Sequence, residues 1–137
     1  MSGNQATGAW AEHALPPKKL PLPDFVFHVA NMDEGHGLRV GHVAQVIADL
    51  AKIDHIDRAT LKLAGELHDT GKLLIPEEIL QAPRSLTDNE KTTVQRHPLL
   101  GLAVTQWYSH VFTQDILDTI LMHHEHWCGT GYPLGLK

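Results

Sequence analysis

Cysteine is nearly absent from these 137 residues: Cys128 stands alone, so no disulfide can form within the chain. A single thiol fits a reducing compartment, and a cytoplasmic location is the expectation. Aromatic residues are scarce at 6%. Strands favour aromatic and β-branched residues, so this scarcity leans toward helix. No block of Lys or Arg stands out, and the formal charge is −5. Binding to DNA, RNA or an anionic membrane needs a basic footprint, which this chain lacks. No apolar run approaches the roughly 20 residues of a membrane helix, and the first residues are polar, without the apolar stretch of a signal peptide. A small phosphorylated ligand stays compatible, because metals can supply positive charge locally.

What the chain does have is histidine, 11 copies of it, on a background that is 42% hydrophobic and long enough for one domain. Imidazole is a common metal ligand and a general acid or base, so its placement decides the reading. Residues 1 to about 23 read as a tail or linker, broken by Gly3, Gly8, Pro16, Pro17, Pro21 and Pro23. Residues 24–137 read as the domain. A short helix is expected over Phe25–Met32. Val40, Val43, Ala44, Ile47, Leu50 and Ala51 follow a helical period, with His36 one turn earlier on the same face, expected to be buried. Leu61, Ala64 and Gly65 lead with the same spacing to His68, and Gly71 is a plausible stop. Pro76 can open a short helix that ends before Pro83. Thr87 and Glu90 have capping-box spacing, starting a helix that Pro98 interrupts or kinks at His97. Leu99–Tyr108 and Gln114–His126 complete the set, before a loop with Gly129, Gly131, Pro133 and Gly135. The expectation is an all-α, compact bundle of about six to seven helices.

Three of these helices carry histidine near an end, on or beside the apolar face. Burying several imidazoles together is costly unless something binds them, and a divalent metal is the obvious candidate. Taken alone, His68-Asp69 fits a surface histidine beside a capping Asp as well as it fits a metal site. His123-His124, about 100° apart on a helix, fits one core and one surface histidine or two ligands converging on an ion.

The motifs join these pairs. His68-Asp69-Thr70-Gly71-Lys72 resembles the HD-x-G-K signature of the HD phosphohydrolase superfamily. His123-His124-Glu125, followed by Gly129, Gly131, Tyr132 and Pro133, resembles the HHE-x-x-x-G-x-G-Y-P signature of its HD-GYP branch. His97-Pro98 with Gly101 is similar to the middle HP-x-x-G motif, and Gly35-His36-Gly37-Leu38-Arg39-Val40 to the G-H-x-x-R-V opening. The resemblance implies a helical HD domain with two divalent metals, iron as the common metal and manganese as a frequent substitute. His36, His68 and Asp69 would hold the first metal. Asp69 would bridge to the second, completed by His97, His123 and His124. Lys72 would face the substrate phosphate. The implied activity is hydrolysis of cyclic di-GMP to pGpG and GMP. Two metals about 3.5–4 Å apart lower the pKa of a shared water, so that no protein nucleophile is required.

Gly131, Tyr132 and Pro133 are read as a loop that braces the helix carrying His123 and His124. The resemblance adds a surface for protein partners, notably cyclic di-GMP synthases. His28, His55, His110 and His126 match no ligand position, His13 lies in the tail, and His42 sits just off the apolar stripe, where a surface place is expected before a site role. Trp107, Tyr108 and Trp127 are read as packing residues, and Cys128 as an inert small residue where the family usually has Asp. Typical members continue through further helices that supply one more Asp ligand to the first metal and an R-P-Y-type segment for the nucleotide. Here no Asp follows Asp118 and no Arg follows Arg96. Without those helices apolar surface is expected to be exposed, to be covered by a partner or by a second copy in a homodimer. A non-catalytic HD-GYP signalling module is therefore the alternative function, and a phosphohydrolase acting on another nucleotide is a third.

Overall fold

The computed structural model describes Pro21–Tyr108 and His110–Lys137; residues 1–20, most of the expected tail, lie outside the described residues. Leu22 and Pro23 open the first helix rather than end the tail. Helix α1 runs Leu22–Leu50, with Pro23 in its first turn, where the missing N–H costs nothing. It is broken in the middle. Met32 is extended, and Asp33, Glu34 and Gly35 take left-handed φ values of 52°, 54° and 75°. The two helical stretches expected from sequence therefore flank a sharp kink. The Arg39 guanidinium donates to the Glu34 carbonyl at 2.6 Å and closes it.

Helix α2, Arg58–Leu67, is capped by Asp57, whose side chain accepts from the Thr60 amide at 2.9 Å. It ends at Leu67 with His68 as its C-cap. Gly71 does not stop it, because it lies inside a following 3-10 turn, Thr70–Leu74. Pro76 precedes α3, Glu77–Leu80. The Thr87–Glu90 capping box starts α4, Asp88–Val94. The break expected at Pro98 falls a few residues earlier, after Val94, and Pro98 sits in the first turn of a new helix, α5, His97–Thr105. A 3-10 turn over Gln106–Tyr108 and α6, Gln114–Met122, follow. The last helix is shorter than expected: it stops at Met122, and His123 is its C-cap. The described residues thus form six α-helices and two 3-10 turns without a strand, an all-α bundle.

The core lies among the first half of α1, α2, α5 and α6. Phe25, Leu67 and Ile120 are fully buried with Val29, Leu73, Val104 and Ile116 around them, each large side chain contributing about 1.5–3 kcal/mol. Tyr108 joins this core, 4.6 Å from the Phe25 ring. Trp107 and Trp127 do not: Trp107 is 41% exposed and Trp127 fully so.

The second half of α1 corrects another expectation. Its helical period holds, but the large apolar face is turned outward: Val43, Val46, Ile47 and Leu50 are exposed. The small face packs instead. Gly37, Gly41 and Ala48 are buried against α2, and a Cβ on Gly65 would come within 2.6 Å of the Gly41 Cα. Close approach of the two backbones leaves no room for the branched residues between them.

Candidate metal centre

The helix ends meet at one point. His68 and Asp69 leave the C-terminus of α2, His123 and His124 leave that of α6, and His97 opens α5. His36 arrives from just beyond the α1 kink. The C-terminal ends of α2 and α6 carry partial negative charge, which favours a cation there. The signature glycines allow the convergence. A Cβ on Gly71 would overlap the His97 carbonyl oxygen and come within 2.6 Å of the Gly101 amide, so the 3-10 turn and α5 touch through these two glycines.

All six residues expected to act as ligands come together, in two groups that share Asp69. Asp69, His97, His123 and His124 bring ligand atoms within 4.8 Å of one another; so do His36, His68 and Asp69. Among the described residues, His28, His42, His55, His110 and His126 belong to neither group; His13 lies outside those residues. The Asp69 carboxylate is divided between the groups. Its Oδ2 faces His68 Nε2 at 3.1 Å, His36 Nε2 at 3.8 Å and Lys72 Nζ at 2.8 Å. Its Oδ1 faces His97 Nε2 at 3.3 Å and His123 Nε2 at 3.7 Å.

The ring nitrogens show what the centre needs. His68 Nδ1 donates to the Gly65 carbonyl at 2.7 Å, His97 Nδ1 to Val94 at 2.7 Å and His123 Nδ1 to Ile120 at 3.0 Å. A carbonyl only accepts, so each neutral ring carries its proton on Nδ1 and turns the Nε2 lone pair inward. His97 Nε2 and His123 Nε2 are 3.0 Å apart. Two lone pairs and a carboxylate aimed at one point repel unless a cation lies between them. The donor set therefore fits divalent metals, with backbone carbonyls as the outer contacts that orient ligating imidazoles.

With a proton on Nε2 in place of a metal, the same rings act as donors instead. In that protonated form burial pushes the Asp69 carboxyl up, but hydrogen bonds from His123, His68 and His97 outweigh it and hold the group far below the carboxylate range. Burial also lowers His124, and the charge of protonated His123 and His97 adds to this, bringing it to about 4. Burial lowers His68 too, yet its contact with Asp69 leaves it raised.

Two residues support the centre from outside: Tyr132, read from sequence only as part of a bracing loop, and Glu125, whose role escaped sequence reading. Tyr132 stacks on His124, ring centroids 4.6 Å apart and planes 16° from parallel, and its amide donates to the His124 carbonyl at 3.1 Å. Glu125 fastens the loop that brings Tyr132 there. Its Oε1 accepts from the Leu134 and Gly135 amides at 2.6 and 3.2 Å, and its Oε2 from Leu136 at 2.9 Å. A side chain on Gly131 would overlap the backbone of Glu125 and His126. Pro133 follows through a cis peptide bond. The third residue of H-H-E and the sequence-distant turn were the available signals, but spacing alone does not give a carboxylate three amides.

Beside the centre lies a cavity of about 850 Å³, lined in part by His36, Asp69, Lys72, Glu66, Leu73 and Ile75. His97, His123 and His124 do not line it. No helix among the described residues is long and apolar enough to cross a membrane.

Comparison with known proteins gives the same picture. The HD domain model matches residues 23–137. The cyclic di-GMP phosphodiesterase response regulator RpfG of Xanthomonas campestris pv. campestris is 35% identical over 98 residues, 72% of this chain and 26% of that protein. A cyclic di-GMP phosphodiesterase of Thermotoga maritima is 34% identical over 102 residues, covering 74% of this chain and 28% of its own length. The 3'3'-cGAMP-specific phosphodiesterase 2 of Vibrio cholerae is 30% identical over 121 residues, 83% of this chain and 23% of that one. The chain spans about a quarter of the length of these relatives. With the family model covering both the bundle and all six converging residues, the chain belongs to the HD domain family, in its HD-GYP branch.

Proposed function

We propose that this domain is a metal-dependent phosphodiesterase that hydrolyses cyclic di-GMP to pGpG and GMP. The observation that carries this reading is the divided Asp69 carboxylate, one oxygen toward His36 and His68 and the other toward His97 and His123. A carboxylate so placed could serve two cations, one through each oxygen. His36, His68 and Asp69 would hold the first, and Asp69, His97, His123 and His124 the second. Iron is the preferred metal and manganese its substitute, since imidazole and carboxylate suit both. Bound there, the pair supplies an activated water and positive charge for the phosphoryl oxygens.

The chain's own residues do the rest. The cavity adjoins only the His36 side, so the substrate phosphate sits there. Lys72 lines that cavity and neutralises developing charge on a phosphoryl oxygen. Asp69 keeps the Lys72 ammonium in place through the 2.8 Å contact. The volume is at the upper end of ligand pockets, roughly 300–1,000 Å³, which suits a cyclic dinucleotide. Around the G-Y-P loop, Trp127, Leu134 and Leu136 are exposed, which supports docking of a protein such as a cyclic di-GMP synthase on the outer side of the loop. The exposed strip of α1 supports association with a second copy.

The test is anaerobic loading with iron or manganese, followed by chromatography of cyclic di-GMP and its products. Turnover is expected with two metals per chain. No turnover with two metals bound overturns the reading for this domain.

A further inference from the structure

The cavity beside the metal centre has an unusual wall for an anionic substrate. Among its described lining residues Lys72 is the only lysine or arginine, whereas Asp33, Glu34, Glu66, Glu77 and Glu78 all face it in addition to Asp69. Most of these carboxylates are at its mouth. Glu66 is not: only 7% of the residue is exposed. It lies on α2 one turn before Asp69, with its backbone pressed against Gly37 and its side-chain stem against Gly41. The single ion pair recorded for it among the described residues is Lys62 Nζ to Oε1, at 3.5 Å, from a lysine side chain that is 53% exposed. Among the described residues its Oε2 accepts no protein hydrogen bond, and it is not sealed from the cavity that Glu66 lines.

A buried carboxylate is expensive unless donors satisfy it, and a long contact to a solvated ammonium supplies little. An ionised carboxylate can only accept. A ligand that engages it in place of cavity water presents donors, and two adjacent ones if both oxygens are used. The phosphates of a cyclic dinucleotide have no such groups and are claimed by the metals and Lys72. Its bases do. The Watson–Crick edge of guanine offers N1–H and the N2 amino group side by side. Adenine offers a donor at N6 beside an acceptor at N1, which a carboxylate repels.

We propose that Glu66 reads the nucleobase next to the scissile phosphate, its carboxylate accepting the N1–H and N2–H donors of guanine and rejecting adenine. The inference rests on the cyclic-dinucleotide reading above and adds the basis of its specificity. Glu66 and Asp69 line the same cavity, three residues apart at the end of α2, which puts the base reader beside the phosphate site.

The test is equilibrium binding of hydrolysis-resistant phosphorothioate analogues to the manganese-loaded chain, with metal content measured in parallel. The guanine analogue is expected to bind about 10–100-fold more tightly than the adenine analogue, the range for hydrogen bonds to a charged group. Glu66→Gln should bring the two within a few-fold while two metals stay bound. A ligand-side variant needs no mutation: the inosine analogue lacks the N2 amino group and should bind the unmodified chain about 10-fold less tightly than guanine. Equal binding of guanine and adenine, an inosine affinity equal to guanine, or an undiminished preference in a folded Glu66→Gln overturns the role of Glu66 and leaves the phosphodiesterase reading standing. Failure of the unmodified, two-metal chain to bind any of the three analogues removes both.

Discussion

The two halves of the metal centre use the same residue types on different supports. The half formed by His97, His123 and His124 is closed around His97, with His123 and His124 partly buried. His97 is 1% exposed, its ring and that of His123 are fixed by backbone carbonyls, and Tyr132 covers His124. The half formed by His36 and His68 opens onto the cavity on its His36 side, where the side chain is 39% exposed, while His68 is buried. Helix termini explain the difference. Ligands at the ends of α5 and α6 inherit rigid frames, whereas His36 follows a kink held in left-handed backbone at Asp33 and Glu34, a costly conformation for side chains larger than glycine. On the proposed reading, the half closed around His97 would retain a cation, and the open half would leave a coordination position for substrate and water.

Asp69 belongs to both halves, so Asp69→Asn is the most damaging change for function. Metal content is expected to fall from two to below one per chain, measured by elemental analysis. Turnover of cyclic di-GMP should fall by more than the 10²–10³-fold typical of one electrostatic group. Retention of two metals would remove the bridging role. The next test separates the halves. His36→Ala should lose one metal and keep the other, while His97→Ala should lose the enclosed metal and also lower thermal stability, because it empties a fully buried site. If His36→Ala loses both metals, the two halves are not independent.

Much of this contrast was legible in the sequence, because motifs encode local chemistry. All six converging residues came from four short patterns, and the Thr87–Glu90 cap followed from spacing alone. Orientation was not legible. Val43, Ile47 and Leu50 have the helical period of a buried face and are exposed, because Gly37, Gly41 and Gly65 let the opposite side approach α2 more closely. Periodicity identifies a helix but cannot tell which of two faces finds a neighbour. The end of α6 was also misplaced. His123-His124 continues an apolar helical pattern, yet the loop turns back at His123 so that Glu125 can bind three amides and Tyr132 can reach His124. That contact network joins residues up to 11 positions apart, beyond what local propensity reports.

The enclosed half can be sharpened through that loop. Mild desolvation pushes the Glu125 carboxyl up, but the amides of Leu134, Leu136 and Gly135 outweigh it and keep it below the usual range, so the clamp is an ionised one. Glu125→Gln leaves one acceptor and turns an amide donor toward the loop N–H groups. We expect about 10-fold weaker retention of the enclosed metal, at the low end of the 10–100-fold seen for outer contacts, measured by competition with a chelator. Tyr132→Ala should match it, and Tyr132→Phe, which keeps the ring, should resemble the unmodified chain. Full retention in both Glu125→Gln and Tyr132→Ala would show that the loop does not support His124.

The smallest expected effect is a control on whether stability and metal binding are separable. Thr87 caps α4 by accepting from the Glu90 amide, and Glu90 returns a contact to the Thr87 amide at 2.8 Å. None of α4 contributes to either metal group. Thr87→Ala should cost about 1 kcal/mol in a denaturant titration and leave metal content at two. The cap also predicts a pH dependence of known sign. The Arg84 guanidinium, followed by the Thr87 amide and hydroxyl, draws the Glu90 carboxyl down from 4.5 to about 2. A carboxyl lowered on folding stabilises fully above its unfolded value and loses that contribution as pH falls through its folded one. The difference between the unmodified chain and Thr87→Ala should therefore be constant from pH 6 to 8, and shrink as the pH approaches about 2. Loss of metal in Thr87→Ala at neutral pH would mean that even a remote helix cap is felt at the centre, and that the enclosed half owes its rigidity to the whole bundle rather than to the helix ends and loop that touch it.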